Sequence, residues 1–161
     1  MPYDREAAKA YAKKWAFSRN PAYYDFHGIG GDCTNFVSQC LYAGCGVMNF
    51  TPTFGWYYIS LNNRSPSWTG VQYLYNFLIS NQGPGPYGEV RPFRDAEIGD
   101  IIQLSFDGDV FSHSLFVTNV GVRPSPNSIY VATHTYDAYN RRLSSYFYQE
   151  ARLIHLLGAR A

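Results

Sequence analysis

The sequence predicts an α+β domain, and three observations carry that prediction. Apolar residues recur at helical spacing in the amino-terminal part. A glycine-rich turn opens directly into a helix headed by a cysteine. The carboxy-terminal part is a run of β-branched and aromatic segments separated by turn residues. Helices first and strands afterwards is the α+β pattern. At 161 residues the chain is one domain, 1–161, with a helical half over about 1–88 and a β half over about 89–161. That length buries a core without disulfide or metal staples.

Each element follows from its residues. Ala7, Ala8, Tyr11, Ala12 and Trp15 share one face of a first helix over 4–17, which Asn20-Pro21 ends. The turn Gly28-Ile29-Gly30-Gly31-Asp32 supplies permissive glycines and an Asp suited to capping. From Cys33 onward, Phe36, Val37, Cys40 and Leu41 fall at i+3, i+4, i+7 and i+8, so a second helix runs to about Ala43-Gly44. An aromatic-rich insertion over 50–88 contains a helix over 69–80 and closes in Gly83-Pro84-Gly85-Pro86. Strands are expected at 90–91, 101–106, 115–120, 129–133 and 153–157, with Asp107-Gly108 as a hairpin turn.

Cys33 carries the chemistry. In the first turn of its helix, unpaired N–H groups and the helix dipole favour a thiolate. A free thiol titrates near about 8.5, and such a position beside an imidazolium lowers it by several units. Cys40 sits on the apolar face of the same helix and Cys45 in a small-residue turn, so both read as packing. His113 starts one strand and His134 ends the next. If the two strands pair antiparallel, these histidines meet at one sheet edge, with cross-strand Cβ atoms about 4.5–5.5 Å apart. A thiol, a base at a strand start and a polar orienter make a nucleophilic set. Asp137, just past the strand, competes with His134 as orienter. His27 reads as loop packing, and His155 as an outward residue of a terminal strand. The expected reaction is attack of the Cys33 thiolate on an amide carbonyl, with His113 handling the proton and the Cys33 N–H facing the oxyanion.

At these residues the chain resembles a family. The helix Asp32-Cys33-Thr34-Asn35-Phe36-Val37-Ser38-Gln39-Cys40-Leu41 looks like that of the amidase domains found mainly in Gram-positive bacteria. Gly99-Asp100-Ile101-Ile102-Gln103, Ser112-His113-Ser114, His134-Thr135-Tyr136-Asp137 and Gly55-Trp56-Tyr57-Tyr58, followed by Ser67-Trp68, look like its other blocks. The resemblance runs in order from Tyr3-Asp4-Arg5 to Ile154-His155. That family is similar to the NlpC/P60 and CHAP cell-wall hydrolases. The resemblance implies a papain-like core, with the nucleophile at a helix N-terminus packed on an antiparallel sheet or half-barrel. It also implies a cysteine amidase or peptidase acting on peptidoglycan stem peptides, with Cys33, His113 and His134 in the catalytic positions. Asp32 precedes the nucleophile as in that pattern, and Tyr23 and Tyr24 lie where it places a tyrosine; all three are candidates for the oxyanion site or the cleft wall. The loop between the two His-bearing strands is longer than that pattern's tight turn, which keeps Asp137 in contention.

Composition bounds the rest. Thirteen Lys and Arg against twelve Asp and Glu leave a net charge of +1, with no basic stripe, which argues against nucleic acid. Apolar stretches are too short for a membrane span, and the charged start Met1-Pro2-Tyr3-Asp4-Arg5-Glu6 shows no signal peptide. Localisation stays open between the cytoplasm and a domain of an exported protein. Cys33 and Cys40 lie roughly 10.5 Å apart along their helix, beyond disulfide reach, whereas a Cys40–Cys45 bridge is sterically conceivable. No CxxC, HxxxH or HExxH occurs, so no metal and no other cofactor is expected. Fifteen Tyr, eleven Phe and three Trp make the chain aromatic, and Trp56, Tyr57 and Trp68 are candidates for a substrate cleft. Two rival readings remain: a glycan-binding module with a structural Cys33, and an effector amidase acting on a protein.

Overall fold

Three small alanines let two helices approach closely. The computed structural model describes residues 2–161. Helix α1, Arg5–Trp15, is capped by Asp4, whose carboxylate accepts the Ala7 N–H at 3.0 Å. Glu6 in its first turn and Lys13 and Lys14 in its last complement the dipole. Its buried face is Ala8 and Ala12, continued by Ala16. Helix α2, Cys33–Cys45, is buried along nearly its whole length and stops at Gly46, which takes a left-handed conformation with φ 67°. The two helices meet at Gly44, where an added Cβ would lie 2.4 Å from the Tyr3 ring and 2.8 Å from the Asp4 carbonyl oxygen.

The insertion over 50–88 supplies the other flank of α2. A short hairpin of β1, Tyr58–Ser60, and β2, Asn63–Arg64, leads to α3, Pro66–Thr69, and α4, Val71–Ser80. The single helix expected over 69–80 is thus α4, with α3 set apart from it by the extended Gly70. Trp56 and Trp68 are fully buried, with ring centroids 4.6 Å apart. Their indole N–H groups donate to α2, Trp56 to Ser38 Oγ at 3.1 Å and Trp68 to Asn35 Oδ1 at 3.0 Å. This corrects the expectation that they wall a substrate cleft: neither ring leaves a face for a ligand. Tyr57 is half-buried against Phe50.

The remainder is one antiparallel sheet of six strands: β3 Gly85–Arg91, β4 Ile101–Ser105, β5 Phe111–Val120, β6 Ile129–Thr133, β7 Ala138–Arg142 and β8 Glu150–Arg160. Its order is β3-β8-β4-β5-β6-β7. Asp107 shapes the expected β4–β5 hairpin by accepting the Asp109 and Val110 N–H groups at 2.8 and 2.9 Å. The β5–β6 pairing is antiparallel as expected, with Phe116 opposite Ala132. The last strand lies inside the sheet between β3 and β4, so it is longer than expected and His155 is no outward residue. His155 Nδ1 lies 2.9 Å from the buried Asp100, which also pairs with Arg5 at 2.8 Å. Strand β7, absent from the expectations, reads Ala-Tyr-Asn-Arg-Arg and forms the charged edge of the sheet.

Alternation divides the sheet's side chains between two apolar clusters. Ile101, Phe116, Ala132 and Ile154 face the helices, with Phe36, Leu41, Trp56 and Trp68. Ile102, Leu104, Leu115, Val117 and Val131 face the other way and are covered by loops carrying Phe93, Leu143 and Tyr146. Burial on both faces is why the central strands read as continuous apolar runs. The three cysteines are all free thiols, so Cys40 and Cys45 are not bridged.

The helix contact gives a stability test. Gly44→Ala forces a methyl into backbone and ring atoms and should destabilise the fold by about 1–3 kcal/mol, read as a lower urea midpoint with an unchanged m-value. The small exposed change Gly28→Ala, where an added Cβ meets nothing within 4 Å, serves as the control.

Candidate active site

The amino terminus of α2 is fixed from three directions by Asp32. Its side chain does not cap the helix but turns inward, and it is 1 % exposed. One carboxylate oxygen accepts the Phe26 N–H at 2.8 Å and the Asn35 side-chain N–H at 2.9 Å. The other lies 2.5 Å from His134 Nδ1. His134 Nε2 in turn donates to the Trp15 carbonyl oxygen at the end of α1, at 2.8 Å, and its ring stacks on Phe36 with centroids 4.1 Å apart. Both ring nitrogens of this imidazole are thus engaged, one by the carboxylate and one by the carbonyl. The Asp32 N–H closes the arrangement by donating to Thr135 Oγ1 at 3.1 Å.

Cys33 is thereby held against β5 where β6 has ended. Its Sγ accepts the Ser114 N–H at 3.5 Å, and Thr34 Oγ1 lies 3.8 Å away. The neighbouring Thr34 and Ser114 hydroxyls are 2.9 Å apart, which ties α2 to the helix-facing side of the strand. Alternation turns His113 to the opposite face, where its ring lies 6.2 Å from both Phe106 and Tyr146. The thiol thus rests on the peptide that joins His113 to Ser114. His113 Nε2 is 3.5 Å from Thr133 Oγ1, at the outer limit of a hydrogen bond. Thr133 spends its own proton on the backbone, with Ser114 O at 3.0 Å and His134 O at 2.8 Å. It therefore accepts from Nε2, which leaves Nδ1 as the lone-pair nitrogen.

Electrostatics makes both groups neutral. Burial pushes the Cys33 thiol up, and the Asp32 carboxylate adds to the rise; the Ser114 N–H and the Thr34 hydroxyl oppose it. Burial pulls His113 down to about 4, helped by the Arg141 guanidinium. Both groups rest neutral, the thiol against the Ser114 N–H and the imidazole on the far side of the same peptide, in contrast to the depressed thiol that a helix N-terminus alone suggests.

His113 opens on a cleft of about 420 Å³ lined by Phe106, Ser112, Tyr136, Arg141, Tyr146 and Phe147. Tyr136 and Phe147 are largely exposed at its rim. Thr135 and Tyr136 both take φ 61°, a left-handed conformation that a β-branched residue rarely adopts. Two successive residues of this kind cost on the order of 1–3 kcal/mol each, and such strain clusters at functional sites.

Cys33, His113 and the end of β6 come together, but the roles within the set are redistributed. His134 lies next to Asp32 and α1, not on the His113 ring. Asp137 is held outside by Arg19, with paired contacts at 3.0 and 3.1 Å. Asp32 has its oxygens occupied by donors and offers none to an oxyanion. Tyr23 packs on Tyr58 and Trp68, and Tyr24 on Phe26. Thr133, Ser114 and Arg141 were not singled out from the sequence. Thr133 is adjacent to His134 in a strand and could have been found by asking what precedes it, whereas Arg141 lies in the unrecognised edge strand. Among the described residues no group of three or more His, Cys, Asp and Glu is placed to hold a metal ion, and no helix is long and apolar enough to cross a membrane.

A family model described as "Putative amidase domain" matches residues 2–157, nearly the whole chain. The chain belongs to this amidase-domain family. Over 139 residues it is also 34 % identical to the uncharacterized protein YhbB of Bacillus subtilis (strain 168), covering 84 % of this chain. The match takes in 42 % of that protein, so the chain spans less than half the length of its curated relative. No solved structure matches the chain. Family membership supports an amidase-type hydrolase function.

Two measurements follow for this amidase domain. Asp32→Asn removes one partner of a buried charged pair and should cost about 3–5 kcal/mol of unfolding free energy in urea titrations. His113 is neutral when folded but binds a proton near pH 6.5 when unfolded. The unfolded chain therefore carries the extra proton between pH 6.5 and about 4, and stability is complete above that window and falls as pH drops through it. From pH 7 to pH 4.5 the wild type should lose roughly 2 kcal/mol more than His113→Gln, in which this position no longer titrates.

Proposed function

We propose that the chain is a cysteine-nucleophile amide hydrolase in which Cys33 attacks and His113 moves the proton. The observation that carries this reading is the thiol at the start of α2, resting on the His113–Ser114 peptide beside the cleft. A helix-borne thiol packed against the start of an antiparallel strand that carries a histidine supports this reading.

The neutral resting pair defines the route. His113 takes the thiol proton as sulfur attacks the amide carbon, so no standing ion pair is needed. The carbonyl oxygen gains charge, and the Cys33 backbone N–H in the first helical turn faces that position. His113 then passes its proton to the leaving nitrogen, the C–N bond breaks and a thioester remains. Water, deprotonated by the same imidazole, hydrolyses the thioester to a carboxylic acid and restores the thiol. Thr133 fixes the His113 ring through Nε2, while His134 and Asp32 act as positioning residues for the helix end. Peptide amides, with peptidoglycan stem peptides first among them, are the substrate class. A glycan-binding module loses support because Trp56 and Trp68, its natural platform, are interior. An effector amidase would use the same chemistry on another peptide.

Turnover of peptidoglycan-derived stem peptides, read by mass spectrometry, tests the assignment. Cys33→Ala should lower kcat by about 10³-fold or more, and His113→Ala by about 10²–10⁴-fold, with both variants folded by circular dichroism. Wild-type turnover in Cys33→Ala would exclude the nucleophile, and an unaffected His113→Ala would exclude the base.

A further inference from the structure

Arg141 is a cation without a carboxylate partner in the cleft beside His113. Among the described residues it joins no ion pair, which it shares with several other arginines such as Arg152 and Arg160; what sets it apart is its place in the cleft with His113. Its position is fixed by neutral groups. Nε donates to Ser145 Oγ at 2.8 Å and one Nη to the Ser145 carbonyl oxygen at 3.2 Å. The guanidinium carbon lies over the Tyr146 ring, 3.8 Å from its centroid. The same ring stands 6.2 Å from His113, so Tyr146 is a shared neighbour of the cation and the imidazole. A guanidinium has five N–H donors in a planar fork, and these contacts use only part of it.

A structural role explains this placement poorly. A guanidinium on an edge strand usually reaches solvent or an acidic neighbour, and Arg142, next to it, is exposed. Arg141 is instead partly buried, lines the cleft and is oriented by stacking. It also sits close enough to disfavour a proton on His113, an electrostatic burden on the base that an incoming anion would relieve. The exposed rings of Tyr136 and Phe147 at the rim suit the apolar parts of an extended peptide.

We propose that Arg141 is a specificity residue that binds a carboxylate of the substrate close to the scissile amide. This rests on the amide-hydrolase reading and narrows its substrate class to peptides with a free carboxyl group near the bond cut. In the occupied cleft the free face of the guanidinium pairs with that carboxylate, a charge-assisted contact that a carboxamide cannot reproduce. Pairing also offsets the positive charge near His113, so the same contact that selects the substrate eases proton uptake by the base.

The test separates recognition from chemistry. The probes are the tripeptide L-Ala-γ-D-Glu-L-Lys and its counterpart with the D-Glu α-carboxylate converted to a carboxamide. Binding of each to Cys33→Ala and to the double variant Cys33→Ala/Arg141→Gln is measured by calorimetry, and hydrolysis of each by the wild type is followed in parallel. The acid should bind Cys33→Ala about tenfold or more tightly than the amide, and Arg141→Gln should bring the two to equality. Equal binding of acid and amide, absence of binding by both, or an acid preference that survives Arg141→Gln would each overturn the proposal. Arg141-dependent acid binding without any hydrolysis by the wild type would uphold this site and sink the amide-hydrolase reading instead.

Discussion

The buried contact between Asp32 and His134 is the constraint on which the rest of the site depends. Both side chains are 1 % exposed, so neither polar group is solvated by water. Such a pair persists only if every remaining polar atom finds a partner. Here Phe26, Asn35 and the Trp15 carbonyl provide them. The contact joins the loop before α2, the end of α1 and the turn after β6. These three segments are far apart in sequence, and their junction sets where Cys33 emerges. The helix gives up a side-chain cap for it, since Asp32 faces inward. A buried ionic network of this kind is weak as a source of net stability but strong as a specification of one geometry.

That geometry explains the division of labour among the polar residues. A thiol and an imidazole placed in a dry setting both become neutral, because burial penalises the charged form of each in opposite directions. The two basic groups of the neighbourhood are therefore kept off the reacting atoms. His134 turns its ring nitrogens toward Asp32 and a carbonyl, away from the thiol. Arg141 packs on Tyr146, near enough to influence His113 without bonding to it. Strain at Thr135 and Tyr136 is the conformational cost of turning the chain sharply between His134 and the cleft rim.

The aromatic richness of the chain has a different meaning from the one its sequence suggests. The insertion over 50–88 looks like a ligand platform, with Trp, Tyr, Asn and Ser interleaved. In the fold its tryptophans seal α2 on the side away from the cleft, and their N–H groups satisfy Ser38 and Asn35 on an otherwise buried helix. Pockets and cores recruit the same large rings, so composition cannot distinguish them. The cleft is built instead by Phe106, Tyr146 and Phe147, scattered over two loops of the β half.

The sequence by itself determined what is local. Periodicity defined α1, α2 and most of α4, and turn chemistry defined the β4–β5 hairpin. Glycines followed by Asp32 marked Cys33 as the head of a helix, and strand ends marked His113 and His134. Edge strand β7 escaped because Asn-Arg-Arg lacks both apolar alternation and β-branched residues, and its existence depends on pairing with β6. Tertiary structure alone decided which histidine faces the cleft, since one residue of register moves a side chain to the other face of a sheet. It also decided that Asp137 belongs to Arg19, that Trp56 and Trp68 are interior and that Arg141 stands beside His113. The protonation states of Cys33 and His113 belong with these, because they arise from burial and neighbouring charge, which depend on contacts between residues some eighty positions apart in the chain.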